Sequence, residues 1–367
     1  MIFALVAALI GGLVLLTVFS EQFVVGAARI AKALRMSAIV IGAVVIGFGT
    51  SLPELLVSVV AAVGGAPDIA LGNVVGSNIA NVLLVLGAAA AFGGGLVVAQ
   101  KIVRIDVPLM IAASVVVFLM SLDNLLGRIE GAVLFSGIVV YVGWTVRTAR
   151  STTPEVSAEY EEEFGDVGPA SPWVDVALLL GGMAALVVGS AWLVDSSVSI
   201  AADLGVSDLV IGLTVVALGT SAPELATSLI AARRGERDIA VGNAVGSNLF
   251  NLLSVLGLTA LVAPDGVAVS EDALRLDMPI MIAVAVACLP VFFSGYALKR
   301  WEGSLFLAYY LAYLAFLVLD QTGSGLRNPF AVVMAVFVIP LTVITLVVIG
   351  WQAWRNPSQP PEEIGVG

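Results

Sequence analysis

Eleven mostly apolar stretches follow one another from Ile2 to Trp351, at 2–28, 38–62, 69–91, 106–122, 129–147, 173–198, 208–231, 239–262, 277–294, 301–319 and 329–351. A helix needs roughly 20 such residues to cross the hydrocarbon core of a bilayer. Inside that core every backbone N–H and C=O must find its partner within the protein, which leaves little besides helices. With 60% hydrophobic and only 12% charged residues, and a mean hydropathy of +1.08, the chain is too apolar for an ordinary water-soluble globule. The expected fold is an all-α polytopic membrane protein. The first stretch lacks a basic n-region and a small-residue cleavage site, so it reads as a span and not a leader. Residues 148–172, rich in Pro, Ser and acid, form the one real linker, and the tail after Arg355 is Pro-rich and expected to be disordered.

Sliding the chain against itself exposes a repeat at an offset of 170: Ser37–Gly87 matches Ser207–Gly257 at 29 of 51 positions without a gap. Weaker echoes follow. Arg104-x-Asp106-x-Pro108 answers Arg275-x-Asp277-x-Pro279, and Arg128-x-Glu130-Gly131 answers Arg300-x-Glu302-Gly303. Five spans thus repeat as a unit, and an odd number forces the second copy into the membrane upside down. The organisation that follows is a first repeat at 1–147, an acidic linker at 148–172, a second repeat at 173–320, and an extra transmembrane helix with its tail at 321–367. In words, this is two inverted five-helix repeats plus an eleventh C-terminal transmembrane helix.

Charge supports the inversion. Placing loops alternately on two sides puts 13 of the 16 Lys and Arg on one side and 3 on the other. The positive-inside rule then sets the N-terminus outside and the linker and C-terminus in the cytoplasm of a multi-pass cell-membrane protein. Arg29, Lys32 and Arg35 precede the second span, whereas the homologous seventh span is followed by Arg233, Arg234 and Arg237. The net charge of −11, with 13 Arg against 3 Lys, fits either a salt-rich source or an ordinary acidic loop.

Two glutamates stand near the middle of apolar stretches, Glu54 in Gly49-Thr50-Ser51-Leu52-Pro53-Glu54 and Glu224 in Gly219-Thr220-Ser221-Ala222-Pro223-Glu224. An ionisable group at that depth costs several kcal/mol, and finding it twice in register argues for function over a protonated structural acid. Pro53 and Pro223 lack an N–H and disfavour helix in the preceding residue, so each span should break there. Carbonyls around Gly47 and Thr50, or Ala217 and Thr220, would then be freed to face a cation.

The third and eighth spans carry Gly72-Asn73-x-x-Gly76-Ser77-Asn78-x-x-Asn81 and Gly242-Asn243-x-x-Gly246-Ser247-Asn248-x-x-Asn251. Ser77 and Asn81, like Ser247 and Asn251, are four apart and share a helix face. Asn73 and Asn243 read either as ion-site residues or as amide glue between helices. By contrast Glu130 and Glu302 stand at span ends, where water should reach them.

Carboxylates, amides, hydroxyls and carbonyls together make an all-oxygen shell that suits Ca2+, or Na+ of similar size, and suits Mg2+ less. With no His and only Cys288, the ligands that zinc, copper and iron prefer are missing, and no intramolecular disulfide is possible.

These paired blocks resemble the alpha repeats of the sodium/calcium exchanger family, in the cation/calcium antiporter superfamily, prokaryotic type, over about ten spans. The resemblance implies an antiporter exchanging Na+ for Ca2+ by alternating access. It implies that Glu54 and Glu224, with main-chain oxygens of Thr50 and Thr220, hold Ca2+ and also serve Na+. Ser51, Ser77, Ser221 and Ser247, with main-chain oxygens of Gly47 and Ala217, would complete flanking Na+ sites, and Asn81 and Asn251 line the middle. Three Na+ per Ca2+ is the implied ratio. Relatives with aspartate at the Asn81 or Asn251 position are associated with K+ co-transport, which the two asparagines here argue against.

A H+/Ca2+ antiporter is the nearest alternative, since two protons would neutralise Glu54 and Glu224 as Ca2+ does, but it leaves the hydroxyl-rich flanks without a use. A cation channel would not need two inverted half-sites. An enzyme such as an intramembrane hydrolase lacks its machinery, having no His and no nucleophilic pair. No cofactor is expected beyond the transported ions Ca2+ and Na+, and no partner beyond the lipid bilayer: no nucleic acid and no obligatory protein.

Overall fold

The computed structural model describes residues 2–33, 51–149, 172–234 and 237–355. Nearly all of them are helical, as lipid demands. Among the described residues, seven helices are long and apolar enough to cross a membrane: Pro67–Gly93, Ile102–Asp123, Trp173–Ile200, Ala240–Val262, Ala273–Phe293, Arg300–Gln321 and Arg327–Val348. Asp208–Thr220 and Ala222–Arg233, bent by 46° at Ser221, make an eighth if counted as one broken span. The helices Ile2–Ala33, Leu52–Val63 and Arg128–Ala149 lie on the remaining expected stretches. Most of the 38–62 stretch lies outside the described residues, and by length and apolarity the described helices support seven spans, or eight with the broken pair.

The chain gathers into two compact units, each drawing on both halves of the sequence. The first comprises residues 1–74, 120–223 and 249–271. Its core joins Leu16, Leu186 and Leu193 of the two longest helices to Leu52, Val57, Ile69 and Val216. Two short strands, β2 (Leu125–Leu126) and β3 (Val267–Ala268), pair antiparallel there, with Leu125 opposite Ala268. The second unit comprises 75–119, 224–248 and 272–367. In it β1 (Leu96–Val97) pairs antiparallel with β4 (Ala297–Leu298), Leu96 opposite Leu298.

These strand pairs are the same contact made twice, because β1 matches β3 and β2 matches β4 along the repeat. Helix crossings follow suit. A Cβ on Gly131 would sit 2.7 Å from the Gly257 carbonyl oxygen in the first unit, and one on Gly303 would sit 2.8 Å from the Gly87 carbonyl oxygen in the second. Gly87 corresponds to Gly257 and Gly131 to Gly303, so one backbone-to-backbone approach, which only glycine permits, is built once in each unit. The terminal helix exposes Val336, Ile339, Val343 and Val347, an apolar face suited to lipid and not to water.

The structure also widens helices at matching places. Asn81–Leu86 and Asn251–Val255 are π-helical, as are Ile102–Asp106 and Ala273–Asp277. Such wide turns give up a regular i→i−4 bond, and they concentrate at functional sites.

Candidate ion site

Glu54 lies in the first turn of the Leu52–Val63 helix, which begins just after Ser51 with Pro53 in its first turn, where a missing N–H costs nothing. Glu224 holds the matching place in Ala222–Arg234. Of the expected site residues, Ser51, Glu54, Ser77, Asn81, Ala217, Thr220, Ser221, Glu224, Ser247 and Asn251 are all buried, none more than 3% exposed. Gly47 and Thr50 lie outside the described residues.

In the first unit, Asn73 is the organising side chain. Its Nδ2 donates to the Glu54 main-chain carbonyl at 3.2 Å and to Ser58 Oγ at 3.0 Å. Its Oδ1 accepts from Thr220 Oγ1 at 2.9 Å. Ser221 Oγ donates to Glu54 Oε1 at 3.3 Å. The second unit repeats half of this: Asn243 Nδ2 donates to the Glu224 carbonyl at 3.3 Å and to Ser228 Oγ at 3.0 Å. Both asparagines therefore tie the helix bearing the glutamate to its neighbour. The amide-glue reading is what their bonds express, and it fixes the backbone of each acid.

Buried polar atoms are almost always bonded, so the exceptions carry information. Among the described residues Glu54 Oε2, Ser51 Oγ, Asn81 Oδ1 and both ends of the Asn251 amide are buried without a hydrogen-bond partner. The first unit thus leaves a carboxylate oxygen, a hydroxyl and an amide without a partner, and the second an amide oxygen. All are hard donors, which fits Ca2+ and Na+.

Two expectations need correction. The bend at Ser221 does not free the Ala217 carbonyl, which keeps its i+4 bond from the Ser221 N–H at 3.0 Å and accepts from Thr220 Oγ1 at 3.3 Å. The carbonyl that loses its i+4 donor to Pro223 is that of Gly219, which the Ser221 N–H faces instead. Glu302 is not near water: it is 3% exposed, and its Oε2 accepts from the Lys299 N–H at 2.8 Å, capping the last helix of the repeat. Glu130 does the same for Gly127 at 3.1 Å. Sequence reasoning gave no role to Ser58, Ser228 or Asn248. Ser58 and Ser228 are identical at the repeat offset, a signal that could have marked them.

The model of a family described as "Sodium/calcium exchanger protein" matches residues 4–147 and 174–319. A putative antiporter CaxA of Alkalimonas amylolytica is 39% identical over 307 residues, 82% of this chain and 95% of its own. The sodium/calcium exchanger MaX1 of Methanosarcina acetivorans is 33% identical over 340 residues, 83% of this chain and 96% of its own. Among solved structures, the sodium-calcium exchanger NCX_Mj soaked with Na+ and Sr2+ aligns with a TM-score of 0.60 at 32% identity, covering 86% of this chain and 99% of that one.

Proposed function

Because this chain belongs to the sodium/calcium exchanger family, we propose that it exchanges Na+ for Ca2+ across a membrane by alternating access, three Na+ against one Ca2+. The observation that carries this reading is the matched bonding of Glu54 and Glu224: Asn73 with Ser58 holds one, and Asn243 with Ser228 holds the other. Two acids whose backbones are held alike, one per repeat, are what a device with two similar-energy arrangements requires.

In this mechanism Glu54 and Glu224 balance the two charges of Ca2+, with Thr50 and Thr220 main-chain oxygens beside them. Water cannot offer that balance in a low-dielectric site. Na+ competes for the same carboxylates. Ser51, Ser77, Ser221 and Ser247 flank them, and the main-chain oxygen of Gly47 joins those hydroxyls around Na+. A hydroxyl that donates to Glu54, as Ser221 does, turns its lone pairs elsewhere and can accept a monovalent cation with them. Asn81 and Asn251 line the middle. Exchange follows from shared ligands: either ion set fills the site, and an empty site, with bare buried carboxylates, is too costly to reorient.

The same reading makes two inverted five-helix repeats the moving parts, with the N-terminus outside and the linker and C-terminus in the cytoplasm. The deciding experiment is radioactive calcium uptake into proteoliposomes holding the purified protein. Uptake driven by an imposed Na+ gradient is expected. Uptake driven by an imposed pH gradient and indifferent to Na+ would sink the sodium assignment and leave a proton antiporter.

A further inference from the structure

An amide side chain presents a cation with either a useful oxygen or a repellent NH2, and the two ends have nearly the same shape. Something must therefore decide which end of Asn81 faces the ions. Asn81 opens the wide π turn of its helix and is fully buried. Its Nδ2 donates to Asn248 Oδ1 at 3.1 Å. Asn248 in turn donates through its own Nδ2 to the main-chain carbonyl of Asn78 at 3.3 Å and to Met110 Sδ at 3.3 Å. All four residues belong to the second compact unit.

The polarity of this chain is set at its far end. The Asn78 carbonyl and the Met110 thioether can only accept, so Asn248 must aim its NH2 at them. Its oxygen is then committed to the other side, where it can only accept. Asn81 must answer with its NH2, and Asn81 Oδ1 is left buried with no hydrogen-bond partner among the described residues. Neither amide can flip without setting two donors or two acceptors against each other, a loss of at least one buried bond. The relay thus turns a fixed backbone carbonyl into a fixed oxygen for an ion.

We propose that Asn248 is a positioning residue that locks the Asn81 amide with its oxygen toward the transported ion, with Asn78 and Met110 as the anchors that give the lock its direction. Asn248 itself donates no oxygen to the ion, because its Oδ1 is occupied by Asn81. The lock acts on one half-site only in this structure, since Asn251, the counterpart of Asn81, has both amide ends buried and unbonded among the described residues. The inference rests on the exchanger reading, because it needs an ion for Asn81 to face.

The test is a double-mutant cycle in the full-length protein in proteoliposomes, following the half-saturating Ca2+ concentration of Na+-driven exchange. Asn81→Ala is expected to raise it about tenfold, the loss of roughly one ligand's worth of binding. Asn248→Leu, which keeps the volume and removes the relay, is expected to raise it several-fold. Combining the two should give no more than Asn81→Ala alone, because Asn248 acts through Asn81. Met110→Leu leaves the Asn78 carbonyl in place and should shift it less than Asn248→Leu. If Asn248→Leu is not recovered as a monodisperse protein, Asn248→Ala takes its place in the cycle. Additive effects of the two substitutions would overturn the relay. An unchanged half-saturation in Asn81→Ala would overturn it too and remove Asn81 from the shell. The antiport reading would survive that result, since it stands or falls with Glu54→Gln.

Discussion

The Ser221 hydroxyl donates to Glu54 Oε1 at 3.3 Å, joining residues 167 positions apart that occupy different places in the two repeats. The counterpart of Ser221 in the first repeat is Ser51, so this carboxylate is dressed by the opposite half of the sequence. The other side-chain oxygen of Glu54, Oε2, has no hydrogen-bond partner among the described residues. Ser221→Ala should raise the half-saturating Na+ concentration by about tenfold, the worth of one bond to a charged group. An unchanged Na+ dependence of calcium flux would take Ser221 out of the site.

Replacing either acid with its amide tests the centre of the reading. Glu54→Gln and Glu224→Gln should each abolish Ca2+ transport, since one remaining carboxylate leaves a divalent ion half-balanced at membrane depth. Glu130→Gln and Glu302→Gln should transport nearly normally, because a glutamine oxygen still accepts from Gly127 or Lys299. Near wild-type exchange by either of the first two would remove that residue's role.

Asn73 holds Glu54's backbone, Ser58 and Thr220 together, whereas the bonds of Asn243 reach Glu224 and Ser228. Truncating Asn73 to Ala removes three buried hydrogen bonds at about 0.5–1.5 kcal/mol each. A larger fall in thermal unfolding temperature in detergent is therefore expected for Asn73→Ala than for Asn243→Ala. Equal or reversed falls would mean the third bond, from Thr220, carries no weight.

Exchange of three Na+ for one Ca2+ moves one net charge per cycle, worth about 2.3 kcal/mol per 100 mV. An inside-negative potential should speed Na+ entry and Ca2+ exit. Clamping the potential with K+ and valinomycin reads this directly, and a calcium flux indifferent to the clamp would establish neutral exchange.

Cysteine labelling with an impermeant reagent checks orientation. Cys288 is buried and can be replaced first. A cysteine at position 160 should resist labelling in intact cells, and labelling from outside would reverse the charge-based orientation.

What the sequence determined by itself is whatever depends on composition, period and self-similarity. Long apolar runs dictate helices in lipid, because no other backbone arrangement satisfies its own polar groups there. The offset of 170 pairs Glu54 with Glu224 and Asn81 with Asn251, and Pro223 announced the bend at Ser221. Tertiary structure alone decided which atoms those residues commit to one another. The repeat placed Asn73 near Glu54 in a motif, but only packing showed that it reaches Thr220 of the other half. Glu302 looked like a water-exposed helix end until the fold buried it as a cap. The Ala217 carbonyl looked freed by the proline, yet a helix bends without losing every bond, and the one lost is set by the four-residue reach of Pro223. Asn248 stayed silent for the same reason. An amide's orientation depends on which acceptor lies opposite it, and here that is a carbonyl and a sulfur brought from Asn78 and Met110, 170 and 138 positions away along the chain.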